Sequence, residues 1–218
     1  MRGLSITGAH TDVGKTYVAC ALIRAAVAQG RRVGVLKPVV SGFDPNDWAE
    51  SDPGRLLRAL GLAPTEALLD AVSPLRFRAP LSPPMAARAE GRTLAYAEVV
   101  EACAPFLADT QADFKILEGA GGVMSPIAED GLCAHLHAEA GLPAVLVGGS
   151  YLGAISHTLT AIAALQGFGI PLHAVVISQS PDPDAPDFEQ TVESVERFAN
   201  LPVVAARRGE ERWARELL

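Results

Sequence analysis

Positive charge is scarce in this chain and nowhere clustered: 18 lysines and arginines stand against 25 aspartates and glutamates, for a net charge of −7. Without a basic tract, nucleic acid is not expected as a partner, and any anion site must be local. Cysteine is scarce too. Cys20, Cys103 and Cys133 are odd in number and far apart, and no two have the spacing of a metal or redox pair. Cys20 falls in a helical pattern and is expected in the core. No apolar run reaches the roughly 18 residues that a membrane-crossing helix takes. No opening segment passes from basic to apolar to small residues. A cytoplasmic protein with no membrane partner is expected. Trp48 and Trp213 suggest no function. What the chain has in quantity is apolar: 49 % of its 218 residues are hydrophobic, enough for a sizeable core, and one domain over 1–218 is expected.

The strongest local signal is Ile6-Thr7-Gly8-Ala9-His10-Thr11-Asp12-Val13-Gly14-Lys15-Thr16. A short apolar run leads into it and a helical pattern at 17–27 follows. Strand, glycine-bearing loop, Lys-Thr and helix is the layout of a phosphate-binding P-loop. The N–H groups of such a loop and the helix N-terminus attract phosphate oxygens. Lys15 is then expected on the β and γ phosphates, and the Thr16 hydroxyl on Mg²⁺. Five residues separate Gly8 from Gly14, one more than the usual four.

Short apolar runs at 2–7, 33–37, 113–118, 143–147, 173–178 and 201–205 alternate with helical patterns near 15–29, 52–60, 95–109, 131–140, 154–167 and 187–199. A charged terminal helix is expected at 209–218. This alternation predicts an α/β fold, a mostly parallel sheet with helices on both faces, P-loop NTPase-like. Ligands of such sheets sit at the carboxyl ends of the strands. Lys37 ends the second run, where an unpaired buried charge would be costly, so it is a candidate cation of the site. The following Pro38 and Gly42 predict a tight turn presenting Ser41 to the same cleft. Ser51-Asp52 opens a helix, and Asp52 reads equally as an N-cap or a Mg²⁺ ligand. Glu118 ends the third run, where P-loop proteins place a metal-holding carboxylate, and the glycines after it allow close backbone approach. Ser156 and His157 sit in a first helical turn. His135 and His137 diverge on a helix and are expected at the surface or its boundary.

Taken together, Thr-Gly-Ala-His-Thr-Asp-Val-Gly-Lys-Thr, Lys-Pro-Val-Val-Ser-Gly, Ser-Asp, Glu-Gly-Ala-Gly-Gly and Leu-Gly-Ala-Ile-Ser-His, in that order over 2 to about 178, resemble the dethiobiotin synthetases of biotin biosynthesis. Ser82-Pro83 is similar to a further segment of that family. The resemblance implies ATP- and Mg²⁺-dependent ring closure of 7,8-diaminopelargonate with CO₂, through a carbamate and a carbamic–phosphoric anhydride. It implies catalytic roles for Lys37, Lys15 and Thr11. Nucleotide would be held by Asp12, Val13, Gly14, Lys15, Thr16, Tyr17 and Ser178, and metal by Thr16, Asp52 and Glu118. Substrate would meet Ser41, Gly121, Gly122, Tyr151, Gly153 and Ser156. The family is a homodimer, with 150–156 of a second subunit receiving the substrate's carboxylate tail.

The chain departs from the family at three places. Ala9-His10 replaces the usual Thr-Asp, Ser178-Gln179 stands where an Asn-Asp commonly reads the adenine, and Ser156 stands where an Asn commonly meets the carboxylate. Ser178 implies weaker selection of ATP over other nucleoside triphosphates. The rival readings are another P-loop amide or carboxylate ligase and a ParA- or MinD-like nucleotide-switch ATPase. A cobyrinate-type amidating ligase adds a glutaminase domain, for which 218 residues leave no room. The switch ATPases carry a second lysine where this chain has His10.

Overall fold

A computed structural model describes residues 2–218 of the chain. Its strands are β1 Gly3–Gly8, β2 Val33–Leu36, β3 Val39–Ser41, β4 Leu75–Phe77, β5 Phe114–Glu118, β6 Pro126–Ala128, β7 Gly131–Leu132, β8 Ala144–Gly149, β9 Leu172–Ser178 and β10 Val203–Ala206. Its α-helices are α1 Lys15–Ala28, α2 Asp52–Ala59, α3 Glu66–Val72, α4 Pro83–Ala89, α5 Tyr96–Ala108, α6 Cys133–Ala140, α7 Ala154–Gly167 and α8 Phe188–Ala199. Six strands form one parallel sheet in the order β10-β9-β8-β1-β5-β2.

The two-residue period of the strands sorts their side chains to opposite faces. Leu4, Ile6, Ile116, Val145 and Val147 pack with Val18 and Leu22 of α1 and Leu56 and Leu57 of α2. Leu146, Val175 and Ile177 pack with Leu165 of α7 and Val195 of α8. Leu36 and Leu117 join Ala86 of α4, Val99 of α5 and Leu136 of α6. Side chains such as Leu22 and Ile23, fully buried, each contribute about 1.5–3 kcal/mol of burial energy. Both faces are therefore covered by helices, as the unbroken apolar strands require.

The sheet order positions the site. β1 and β2 follow one another in the chain but are not neighbours, because β5 pairs with both. The tip of β5, Glu118, therefore lies between the loop after β1 and Lys37 after β2.

Three local expectations change. Residues 39–41 form a strand paired with β4, not a tight turn. The 209–218 segment is a short 3₁₀ helix, Arg212–Leu217, rather than an α-helix. His137 is buried, not at the surface, since Cys133, Ala134, Leu136 and His137 form the inward stripe of α6. All three cysteines are free and buried. Among the described residues no helix is long and apolar enough to cross a membrane.

Candidate functional site

The loop between β1 and α1 turns through Asp12 at φ 59° and Gly14 at φ 95°. Gly14 is required twice over. Its backbone is left-handed, and a Cβ there would lie 2.6 Å from the Ser178 hydroxyl at the end of β9. The close approach of Gly14 brings the two strand ends together. Lys15 and Thr16 open α1 with the helix N-terminus behind them. The Lys15 ammonium curls back onto the His10 carbonyl at 3.2 Å. Burial, then the neighbouring Lys37 charge, lower its pKa.

Glu118 is the centre of the site and is completely buried. Its Oε1 accepts from the Thr16 hydroxyl at 2.6 Å and from the Lys37 ammonium at 2.8 Å. Lys37 also donates to Asp52. Burial works against the Lys37 charge, but Glu118 and Asp52 outweigh it and raise its pKa. Burial likewise works against the Asp52 charge, and Lys37, with smaller help from Thr16 and Arg55, reverses this and lowers its pKa. The N-cap question at α2 resolves in favour of Ser51, whose hydroxyl accepts from the Gly54 N–H at 3.3 Å. Asp52 is thereby left to face Lys37.

The second oxygen of Glu118, Oε2, is buried with no hydrogen-bond partner among the described residues. A buried carboxylate oxygen without a donor is costly. A hydroxyl and two carboxylates offer only oxygen ligands, which suits a hard divalent cation. No group of three or more His, Cys, Asp or Glu side chains among the described residues is arranged as a metal cage.

The strand tip is held from below. His137 meets the Ser5 hydroxyl of β1 through Nδ1, and its Nε2 lies 3.7 Å from the Cys133 sulfur. A Cβ at Gly119 would sit 2.6 Å from His137 Nε2 and 2.7 Å from Cys133 Sγ. Glycine is thus demanded directly after Glu118. Burial, with the Lys15 charge adding to it, lowers the His137 pKa to about 4 and keeps the imidazole neutral.

Three clefts meet here. A cleft of about 320 Å³ is lined by Thr11, Asp12, Gly14, Lys15, Thr16, Tyr17, Lys37, Ser41, Asp52 and Gly121, among others. A second, of about 410 Å³, continues past Asp12, Val13, Gly14 and Tyr17 to Tyr151 and Ser178. A third, of about 490 Å³, is lined by Thr11 and Gly122 with His10, Met124, Ser125 and His157. The fold thus brings together Thr11 to Tyr17, Lys37, Ser41, Asp52, Glu118, Gly121, Tyr151 and Ser178. Gly122 faces the third cleft, and its N–H is already bonded to Ser125 Oγ at 2.8 Å. Gly153, at the N-terminus of α7, and the exposed Ser156 line none of the three.

Sequence reasoning missed Arg55, which lines the first two clefts, and Arg208, which lines the second. Arg55 falls three residues after Asp52, on the same side of a helix, a spacing that was visible. Nothing near Arg208 marked it. His10, in place of the switch-ATPase lysine, stacks on His157 at 5.9 Å, and the Tyr151 hydroxyl meets His157 Nδ1 at 2.8 Å.

A parallel sheet carrying a glycine-bearing loop, Lys-Thr at a helix start and a buried carboxylate on the adjacent strand defines a P-loop nucleotide-binding α/β protein. Residues 2–207 match the AAA domain family. The chain belongs to the ATP-dependent dethiobiotin synthetases. It is 54 % identical to the ATP-dependent dethiobiotin synthetase BioD of Phenylobacterium zucineum (strain HLK1), over 97 % of this chain and 92 % of that one. It is 45 % identical to that of Caulobacter vibrioides (strain NA1000 / CB15N), over 98 % and 95 %. The MinD cell division protein of Aquifex aeolicus superposes with a TM-score of 0.55 at 11 % identity, over 99 % of this chain and 86 % of that one. HypB, the hydrogenase maturation factor of Archaeoglobus fulgidus, does so with 0.55 at 12 %, over 100 % and 88 %. These two likenesses extend to the fold alone.

Proposed function

We propose that the chain closes 7,8-diaminopelargonate and CO₂ into the cyclic urea dethiobiotin, using ATP. The observation that carries this reading is the convergence of Thr16 and Lys37 on Glu118 beside Lys15, within a chain of that family. One amine of the diamine takes up CO₂ to form a carbamate and releases a proton. A carbamate oxygen attacks the γ-phosphorus and ADP leaves. The second amine attacks the carbamoyl carbon of the anhydride, a urea C–N bond forms and inorganic phosphate departs. Carbamate and γ-phosphate repel each other as anions, and Lys15 and Lys37 offset that charge. Positioning supplies much of the rate, and no protein nucleophile takes part.

Thr16, Asp52 and Glu118 would hold Mg²⁺, which supplies charge compensation on the phosphate oxygens. The orphaned Glu118 Oε2 supports this reading. Asp12, Val13, Gly14, Tyr17 and Ser178 hold the nucleotide, while Thr11, Ser41, Gly121 and Gly122 hold the diamine and its carbamate. The working form is a homodimer in which Tyr151, Gly153 and Ser156 of one copy receive the carboxylate tail bound by the other. Leu152, 90 % exposed in the middle of that loop, supports a covered surface there. The chain acts as one domain in the cytoplasm, without nucleic acid or membrane.

The test is incubation with the diamine, ATP, Mg²⁺ and ¹³C-bicarbonate, read by mass spectrometry. A dethiobiotin-mass product carrying one ¹³C is expected, and Lys15→Gln should lose it together with nucleotide binding. No labelled ring product from the parent protein would refute the proposal.

A further inference from the structure

The two clefts on either side of Gly14 share four residues: Asp12, Gly14, Tyr17 and Arg55. Lys15 and Lys37 line only the first, beside Glu118, and Ser178 and Arg208 line only the second. A nucleotide with its terminal phosphate at Lys15 and its base toward Ser178 must cross this junction with its inner phosphates. Arg55 is the sole cation among the four junction residues.

Its guanidinium makes no hydrogen bond among the described residues, and its charge acts only through space, as on Glu50 and Asp52. The nearest carboxylate oxygen, on Glu50, is 4.0 Å away, beyond hydrogen-bond range. Glu50 instead accepts from Arg58 at 2.8 Å. Arg55 is half-exposed, with a side-chain exposure of 54 %, and its helix is fixed by the Ser51 cap and by buried Leu56 and Leu57. A rigid backbone therefore presents a flexible, always-charged fork at the mouth of the cleft. Planar guanidinium groups suit phosphate because two N–H donors match two phosphate oxygens.

We infer that Arg55 is a nucleotide-binding residue that clasps the α and β phosphates at the junction of the two clefts, reaching one phosphate further than the β and γ pair expected at Lys15. This rests on the ATP-dependent reading above and extends it. Because the contact joins substrate at its non-reacting end, it lowers the KM for ATP more than it raises kcat.

The experiment is calorimetric titration of the parent, Arg55→Ala and Arg55→Gln with ATP, ADP and adenosine, at fixed Mg²⁺ and two salt concentrations. Both variants should bind ATP and ADP about tenfold more weakly, the size of one charge-assisted contact left partly open to water. Adenosine binding should not change, and the loss should shrink at higher salt. Parental ATP and ADP binding in both variants would overturn the assignment. So would a loss confined to ATP, which would put the guanidinium at the γ-phosphate, or an equal loss for adenosine, which would make Arg55 a wall residue. A parent protein that binds no ATP would remove the ATP-dependent reading as well. A parent that binds, with variants that bind alike, removes only the role of Arg55.

Discussion

At the residue scale, Lys37 and Glu118 are tied more tightly than a purely catalytic lysine would be. Glu118 is wholly buried and Lys37 is only 5 % exposed. Removing one partner of a buried ion pair leaves the other uncompensated, at a typical cost of about 3–5 kcal/mol. The Thr16 hydroxyl still serves Glu118, so the low end applies. Lys37→Gln should therefore lower unfolding stability by about 3 kcal/mol, measured in urea without nucleotide. It should also slow single-turnover ring closure at least about a hundredfold, the scale of losing one preorganised charge-stabilising group. Parental stability and parental ring closure together would make Lys37 an ordinary strand-tip lysine. The strand tip itself was legible: a lysine and a glutamate, each ending an apolar run, are anomalous enough to read directly. Their partnership was not, because pairing depends on β5 lying between β1 and β2, and the chain order contains no sign of that insertion.

At the element scale, the second cleft is walled by the segment after β10, and one side chain of α1 secures it. The single proton of the Tyr17 hydroxyl is shared between the Arg207 carbonyl at 3.1 Å and the Glu210 carbonyl at 2.9 Å. Trp213 packs on the Tyr17 ring at 6.2 Å and donates to the same Glu210 carbonyl at 2.7 Å. Trp213, which suggested no role from sequence, thus serves as the anchor of this wall. Tyr17→Phe deletes this shared hydrogen bond and keeps the ring. It should cost about 1 kcal/mol of stability and weaken nucleotide binding about fivefold, with faster amide exchange confined to 207–211. Unchanged exchange there would show that the segment stands without Tyr17.

The elements also show where reading the sequence stops. The six sheet strands stand out as short apolar runs, and helices α1, α2 and α5 to α8 each lie in the stretch that follows or precedes such a run, so both are legible. Helices α3 and α4 have seven residues each, too short for a periodic signal. Pro83-Pro84 at the start of α4 also resembles a loop until it is seen at the first helical turn, where proline is tolerated. The β3–β4 and β6–β7 pairs are three residues long or shorter, below any detectable alternation. The terminal segment has the charge pattern of a helix, but it is drawn into tighter 3₁₀ turns where Trp213, Ala214 and Leu217 are buried against the rest of the fold.

At the scale of the whole molecule, fold alone does not separate a ligase from a nucleotide-switch ATPase, the rival reading, and the likeness to the MinD cell division protein at 11 % identity is one of fold only. The two classes differ in what ATP cleavage waits for. A ligase that poses a carbamate against the γ-phosphate releases phosphate only when the acceptor is present, because the attacking oxygen belongs to substrate and not to water. A switch cleaves ATP on its own clock. The decisive measurement is phosphate release from ATP and Mg²⁺ with neither, either or both of the diamine and bicarbonate, alongside the ring product formed. Phosphate release should rise at least about a hundredfold with both present, in line with the catalytic effect of positioned reactants, at one phosphate per ring closed. Equal phosphate release with ATP alone would contradict the account.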